Sequence, residues 1–363
     1  MKIGILGTRG IPNNYGGFEQ FAEYLAVGLV ELGVEVWVYN SHNHPCKETS
    51  WNHVNLIHCF DPEYRMGLAG QFIYDFNCIT DSRSRNFDVL LQLGYTTNSI
   101  WCRLLPRNAK VVTNMDGLEW QRSKYNKFIR HFLKYAEKLA AKSSNLLIAD
   151  ALPINDYLQK TYHTPSAYIS YGADVFELPD ENTLKPFNIR PGEYFLLIAR
   201  LQPDNHIEEI IKGVIAYGTT FPLLVVGNTK NRFGKYLAEK YTSAYVQFLG
   251  SIFDKDILNQ LRHFSGIYFH GHSAGGTNPS LLEAMAASAT ICAHDNAFNR
   301  SVLGNDALYF ETEIDIAKIL NTHSEKPDYK LFIVNNLAKI RQNHTWKNII
   351  ASYYNAFTGL LQN

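Results

Sequence analysis

The sequence has no CxxC pair, no long apolar run, no excess charge of either sign and no low-complexity tract. Each absence argues against a class of function. The five cysteines, at 46, 59, 78, 102 and 292, are odd in number and scattered. That argues against a disulfide framework or a structural zinc site and favours a reduced, cytoplasmic chain. No uncharged apolar stretch approaches the ~20 residues that a membrane helix needs. Strand-like residues begin at Ile3, which leaves no room for the charged and apolar regions of a signal peptide, so none is expected. Lys plus Arg and Asp plus Glu number 34 each, so no overall field draws nucleic acid.

What is present is a rhythm. Strand-length apolar runs alternate with helical patterns, the signature of parallel sheets covered by helices. In the first half the strand candidates are Lys2–Leu6, Val34–Tyr39, Asn55–Phe60, Asp88–Leu93, Lys110–Asn114, Asn145–Ala149 and Ala167–Ser170. Residues 173–193 carry prolines and acids without periodicity and read as a linker. Strands resume at Tyr194–Ala199, Pro222–Val226, Val246–Leu249, Ile267–His270, Thr290–Ala293 and Leu308–Phe310. The 363 residues are enough for two such domains, each with its own core. The expected division is 1–172, the linker 173–193, 194–344 and a final helix over 345–363. That helix puts Trp346, Ile349, Ile350, Tyr353, Phe357 and Leu360 on one face, which is too apolar to face water.

The first strand runs into "GTRGIPNNYGGFEQFAEYLA". A dinucleotide fold would have GxGxxG here and an acid closing the second strand, where this chain has Asn40. No GK[ST] follows, so the loop is not a P-loop. Gly16 and Gly17 stand at a helix start, where free N–H groups and the helix dipole favour an anion. For Gly7 and Gly10 the plainer reading is a backbone that needs positive φ.

A second loop of this kind lies in "FHGHSAGGTNPSLLEAMA". A buried strand ends at His270, Gly275 and Gly276 follow, and Thr277, Asn278 and Pro279 open a helix with Asn278 as its cap. Glu283 sits among apolar neighbours in that helix. It is either an acid that complements the helix dipole or a shielded acceptor for hydroxyl groups. A third piece, "LLIARLQPDNHIEEII", ends a strand at Arg200. Its guanidinium suits a phosphate, the alternative being an ion pair with Asp204 or Glu208.

With "NMDGLEWQRSKY" and "AHDNAFNRSVLGNDALYF", these segments span nearly the whole chain in order. Together they resemble the GT-B glycosyltransferases of family 4, and within it the bacterial polysaccharide rhamnosyltransferase-like branch. The resemblance implies two Rossmann-like doubly wound α/β domains facing a cleft, with the final helix crossing back to the first. It implies a nucleotide-diphosphate sugar held by the C-terminal half, with Glu283 on the ribose and Arg200 on the diphosphate. The loop Gly275–Asn278 would line that site, and backbone near Ile252 would frame the base. Gly16 and Gly17 would bring amides to the diphosphate from the other domain. The activity implied is transfer of a sugar, rhamnose from dTDP-rhamnose, to a lipid-linked saccharide acceptor. Retention of configuration, no metal and no cofactor are part of that expectation. A sugar-binding module without catalysis and a GT-B nucleotide-sugar epimerase are the alternatives.

Two positions depart from the wider family. It has an acid at position 275 and a lysine at position 205, where this chain has Gly275 and Asn205; both are expected to border the same pocket. Lys230, Arg232 and Lys235 are candidate replacement cations, with Lys230 and Lys235 assigned to the donor site. Asp116, at the end of a strand, either caps the following turn or orients and deprotonates the acceptor hydroxyl. The DxD at Asp254–Asp256 opens a helix and reads as structural. His42 and His44 have no third ligand in view, so a metal is not expected there. A basic stripe, Lys127, Arg130, Lys134, Lys138 and Lys142, lies near Phe128, Phe132, Tyr135 and Leu139. It reads as a solvated face or as a peripheral contact with the inner face of the cytoplasmic membrane.

Overall fold

In the computed structural model, which describes residues 1–122, 125–218, 221–324 and 328–362, the alternating pattern resolves into two sheets in two compact units. Unit 1 comprises residues 1–121, 125–172 and 346–363, and unit 2 comprises residues 122–124 and 173–345. The strands of unit 1 are β1 (Lys2–Leu6), β2 (Glu35–Ser41), β3 (Ser50–Trp51), β4 (Val54–Cys59), β5 (Val89–Leu93), β6 (Lys110–Asn114), β7 (Leu146–Ala149) and β8 (Ser166–Tyr168). Those of unit 2 are β9 (Phe195–Ile198), β10 (Leu223–Val226), β11 (Val246–Gly250), β12 (Ile267–His270), β13 (Ile291–His294) and β14 (Leu308–Phe310). The helices of unit 1 are α1 (Gly17–Glu31), α2 (Glu63–Met66), α3 (Leu68–Ser82), α4 (Lys127–Ser143), α5 (Leu152–Tyr162) and, at the chain's end, α13 (Trp346–Gln362). Unit 2 has α6 (Ile207–Tyr217), α7 (Arg232–Tyr241), α8 (Lys255–His263), α9 (Pro279–Ala286), α10 (Ala297–Leu303), α11 (Glu313–Ser324) and α12 (Lys330–Lys339).

The first sheet runs β3-β4-β2-β1-β5-β6-β7-β8 and the second β11-β10-β9-β12-β13-β14. All described pairs are parallel except β3–β4, a hairpin that the sequence pattern does not predict. Its two-residue turn, Asn52-His53, has positive φ at both positions (44° and 64°), as a tight hairpin requires. In each sheet the connections reverse direction beside the first strand, between β1 and β5 and between β9 and β12. In open α/β sheets, ligands bind outside the carboxyl ends of strands at such a reversal.

Helix α1 buries Phe21, Ala22, Leu25, Ala26 and Leu29. It ends in a Schellman turn, Val34 N–H to Leu29 O at 3.1 Å and Gly33 N–H to Val30 O at 2.9 Å. Against it lies α13, whose apolar face is buried at Trp346, Ile349, Tyr353 and Phe357. The Trp346 ring stacks on Tyr24 at 4.3 Å, and Phe21 meets Tyr353 at 5.4 Å. Tyr353 Oη accepts from Asn114 Nδ2 at 2.9 Å, in the interior. In unit 2, Phe195, Leu197, Ile267, Phe269 and Cys292 face one core with α6 and α11. The segment over 173–193 is not extended. It holds a 3₁₀ helix, Glu181–Phe187, with Leu184 buried. Gln260 fixes it by accepting from Asp180 N–H at 2.8 Å and donating to Leu178 O at 3.0 Å.

Candidate functional site

At the reversal in unit 1, the loop after β1 is shaped by two glycines. Gly7 (φ 95°) and Gly10 (φ 122°) lie in the left-handed region, and a Cβ on Gly7 would stand 2.2 Å from Leu93 O. Asn40, at the end of β2, clamps the loop by accepting from Ile11 N–H at 3.1 Å and donating to Ile11 O at 2.8 Å. A carboxylate could not donate, which accounts for an amide at this position. Gly16 is extended (φ −167°) and Gly17 has open space where a Cβ would be. Neither glycine is required by backbone strain. The Glu19 carboxylate, buried at 3% exposure, already lies beside the start of α1 and accepts from Arg9 N–H at 2.9 Å.

Around this loop the fold gathers acids that are far apart in sequence. Arg9 forms a two-pronged pair with Glu63, at 2.7 and 2.9 Å, and its guanidinium lies 3.9 Å over the Tyr15 ring. Asp61 and Asp75 are buried beside them. Asp75 accepts from the Thr97 hydroxyl at 2.6 Å, and Thr97 lies on the loop after β5. Burial first, then Asp61 and Glu63, push the Asp75 carboxyl up to about 7, against the Thr97 hydrogen bond and Arg9. Asp116 follows β6 at φ 48°. The turn is held by Asn114, whose Oδ1 accepts from Asp116 N–H at 2.9 Å. No described turn amide bonds to the Asp116 side chain, which accepts only a long contact from Tyr171 Oη at 3.4 Å.

In unit 2, Arg200 lies two residues beyond β9, exposed, with no ion-pair partner among the described residues. Glu208 is taken by Lys240 (3.0 Å), Tyr236 (2.8 Å) and Tyr241 (2.6 Å), which bring its carboxyl down to about 2 against its desolvation. Asn205 is buried and donates to Arg200 O at 2.6 Å. Through this bond it braces the loop that carries Arg200. His206 bonds Gly271 O at 3.1 Å. Ser273 donates to Asp204 O through N–H (3.2 Å) and Oγ (2.9 Å). The loops after β9 and β12 are thereby stitched together. A Cβ on Gly271 would lie 2.0 Å from Asn205 O. Gly275 has φ 112°, which a glutamate would adopt only under strain.

Helix α9 begins at Pro279, with Asn278 accepting from Ser280 N–H at 2.9 Å. Thr277 is buried beside it. Glu283 is not free: Oε2 accepts from Arg262 at 2.5 Å, with the arginine 2% and the glutamate 26% exposed. Arg262 also reaches Ser280 Oγ (3.4 Å), which meets Tyr268 Oη (2.8 Å). Of the candidate cations, Lys230 is exposed on the loop after β10 and Lys235 pairs with Glu239 at 3.7 Å. Arg232 opens α7. Ile252 is half-buried on the loop after β11.

Sequence reasoning missed a histidine cluster at this edge. His270 is 1% exposed, with neither ring nitrogen partnered among the described residues, an arrangement that costs about 1–3 kcal/mol for an orphaned buried group. His272 stacks on it at 4.5 Å. On the other side of the sheet His206 meets His294 at 3.9 Å. The signal was the alternation in "FHGH", two imidazoles on one face of a buried strand. Asp254 caps α8, accepting from the N–H groups of Asp256 (2.9 Å) and Ile257 (3.2 Å). His42 Nδ1 accepts from Asp61 N–H at 2.8 Å. His44 bridges Cys46 N–H (3.2 Å) and Pro12 O (3.0 Å).

The basic stripe on α4 is thinner than its sequence suggests. Lys134 turns to Glu137 at 2.9 Å and lies over Trp120 at 4.3 Å. Glu137 is wholly buried and also accepts from Trp120 (2.7 Å), Tyr157 (2.7 Å) and Tyr162 (2.6 Å). Lys127, Lys138 and Lys142 remain exposed, with Phe128 at 88%. Among the described residues no helix is long and apolar enough to cross a membrane.

Residues 1–174 match a family model described as a domain of unknown function, DUF1972. Comparison of the sequence with curated proteins found no match. Solved structures do match across both units. The sucrose-phosphate synthase of Thermosynechococcus elongatus aligns with a TM-score of 0.80 at 14% identity, over 99% of each chain. The α,α-trehalose 6-phosphate synthase of Burkholderia multivorans gives 0.75 at 11% identity, over 99% of this chain and 97% of that one. Anabaena HepE, solved with UDP-glucose, gives 0.76 at 13% identity, over 99% of this chain and 100% of its own. The chain has the two-domain α/β fold of these proteins, the GT-B fold.

Proposed function

We propose that the protein is a glycosyltransferase that takes its sugar from a nucleotide diphosphate held by unit 2. The observation that carries this reading is the edge of the second sheet. There an exposed guanidinium, Arg200, with no ion-pair partner among the described residues, stands at the strand reversal, where a glycine-bearing loop leads to the start of α9. Arg200 takes the diphosphate, Lys230 adds a second cation, and Gly275, Gly276, Thr277 and Asn278 line the approach. Glu283 keeps Oε1 for the ribose while Arg262 fixes Oε2. Backbone near Ile252 frames the base. Transfer needs the departing diphosphate stabilised, which preorganised donors supply. In unit 1, Asp116 serves the acceptor hydroxyl.

The donor we propose is dTDP-rhamnose, and the acceptor a lipid-linked saccharide, with retention of configuration. The exposed cations of α4 with Phe128 are the surface we assign to anionic lipid, at ~1 kcal/mol per cation. Purified protein incubated with a panel of nucleotide sugars tests the function. A transferase releases nucleoside diphosphate faster when acceptor is added, an epimerase turns over without acceptor, and a binding module shows no turnover. Binding to anionic but not neutral vesicles, abolished by salt, is the expected result for α4. Equal recovery with both kinds of vesicle removes the membrane assignment.

A further inference from the structure

The register of the second sheet sets one further group beside Arg200. Strand β12 pairs with β9 as Ile267 with Phe195, Tyr268 with Leu196 and Phe269 with Leu197. Phe195, Leu197, Ile267 and Phe269 face the core shared with α6. Side chains alternate along a strand, so Leu196, Tyr268 and His270 lie on the opposite face. Arg200 and His272 each fall two residues past their strand and continue that face side by side. Arg200 acts electrostatically on the His272 ring.

We propose that His272 is a second ligand of the donor diphosphate and acts as a neutral hydrogen-bond donor. This deepens, and rests on, the reading of unit 2 as the donor-binding unit. The residue is held from three sides. Its ring stacks at 20° on His270, which is itself buried. Its carbonyl accepts from Asn296 Nδ2 (3.1 Å) and Asn299 Nδ2 (3.0 Å), and both amides also grip His294 O, at 3.1 and 2.8 Å. The next residue, Ser273, is tied to Asp204 O. The segment "HDNAFN" thus positions the imidazole, which its role as the start of α10 alone does not require.

Neutrality follows from the company the ring keeps. The charged and titratable groups acting on it are Arg200, Arg122 and His206, with His270 beneath, and no carboxylate is among them. Burial first and then these charges push His272 down to about 3. Nδ1 is buried without a partner among the described residues. We assign the ring proton to Nε2, the nitrogen left to meet a ligand. An N–H aimed in advance at a phosphate oxygen needs no reorganisation as charge grows on the leaving group, and a neutral imidazole performs this polarising role in other enzymes.

Titration calorimetry of the full chain with UDP-glucose and dTDP-rhamnose tests the assignment, because the diphosphate diester of each carries no titrating proton in the neutral range. The wild type should bind at least one with the same enthalpy in buffers of low and high ionisation enthalpy, showing no proton uptake. His272→Leu should weaken that binding about tenfold, the value of one hydrogen bond to a charged group. His272→Gln, which keeps an N–H within reach, should recover most of the loss. Wild-type affinity in both His272→Leu and His272→Gln overturns the role of His272. Uptake of a proton that His272→Gln abolishes overturns its neutrality. Failure of the wild type to bind either sugar nucleotide overturns the donor-binding reading itself, and this inference with it.

Discussion

The two sheet reversals are alike in topology and opposite in charge. At β1 and β5 the fold collects Glu19, Asp61, Glu63 and Asp75 around a single Arg9. At β9 and β12 it collects Arg200 and the imidazoles of His206, His270, His272 and His294. The strand order decides where a ligand sits, and the side chains decide which ligand it is. A carboxylate-lined edge suits hydroxyl groups and repels phosphate. An edge that carries the Arg200 guanidinium does the reverse. On the function proposed above, the same backbone device, used twice, would serve a neutral acceptor and an anionic donor.

The sharpest way to break this comparison is through the acid of unit 1 that has no structural task in its turn. Asp116→Asn should lower kcat by about 10²–10⁴-fold, the usual worth of acid–base assistance, while nucleotide affinity in unit 2 stays unchanged. Steady-state kinetics beside equilibrium binding read both, and an unchanged kcat removes Asp116 from the chemistry.

Asp75 tests the electrostatics of the same edge. Its ordinary value is 3.8 and in the folded chain it lies at about 7, so the folded state keeps a proton that the unfolded chain has released between those limits. Stability therefore falls as pH rises across that window, and the full cost, on the order of 4 kcal/mol, applies above it. Asp75→Asn should stabilise the protein at about pH 8 and change little at about pH 4. Urea unfolding at both values measures this, and equal effects at the two would disprove the shift.

In unit 2, Glu283→Ala should weaken binding of nucleoside diphosphate and nucleotide sugar alike by ~1.5–3 kcal/mol. It also strands Arg262, which is 2% exposed, so the melting temperature should fall as well. Glu283→Gln leaves Arg262 an acceptor and separates the two effects. If the glutamine variant retains both stability and wild-type affinity in calorimetry, the ribose assignment is wrong.

The smallest effect belongs to the start of α1. Gly17→Ala meets open space and should change stability by no more than about 0.5 kcal/mol. A loss of activity in that well-folded variant would mark Gly17 as a point of ligand approach, and full activity would make it an ordinary helix residue. Gly7→Ala, set against the Leu93 carbonyl, serves as the contrast and should unfold at a markedly lower temperature.

Much of the fold was legible because it rests on local periodicity. The apolar alternation located thirteen of the fourteen strands among the described residues, and the face of α13 announced that it would be buried. Strand β3 was not legible, since two residues carry no period. The sites were legible where a loop chemistry is local, as with Asn278 capping α9. They were illegible where partners meet from afar. Arg9 with Glu63, Thr97 with Asp75 and Arg262 with Glu283 are separated by 54, 22 and 21 positions, and no spacing rule joins them. Glu283 looked shielded for want of charged neighbours in sequence, when its neighbour in space is an arginine from α8. Within the linker over 173–193 the 3₁₀ turn was illegible for a related reason, since a turn anchored by one distant glutamine has no helical period to detect.

The return of α13 to unit 1 has a consequence for how the chain is made. A ribosome delivers the Phe21 side of that core early, but Tyr353 and Trp346, which close over it, arrive more than three hundred residues later. Unit 2, nearly continuous over 173–345, has all its strands before α13 emerges. The half that is begun first is therefore finished last, and until then it holds an open apolar seam where a nascent chain needs shelter.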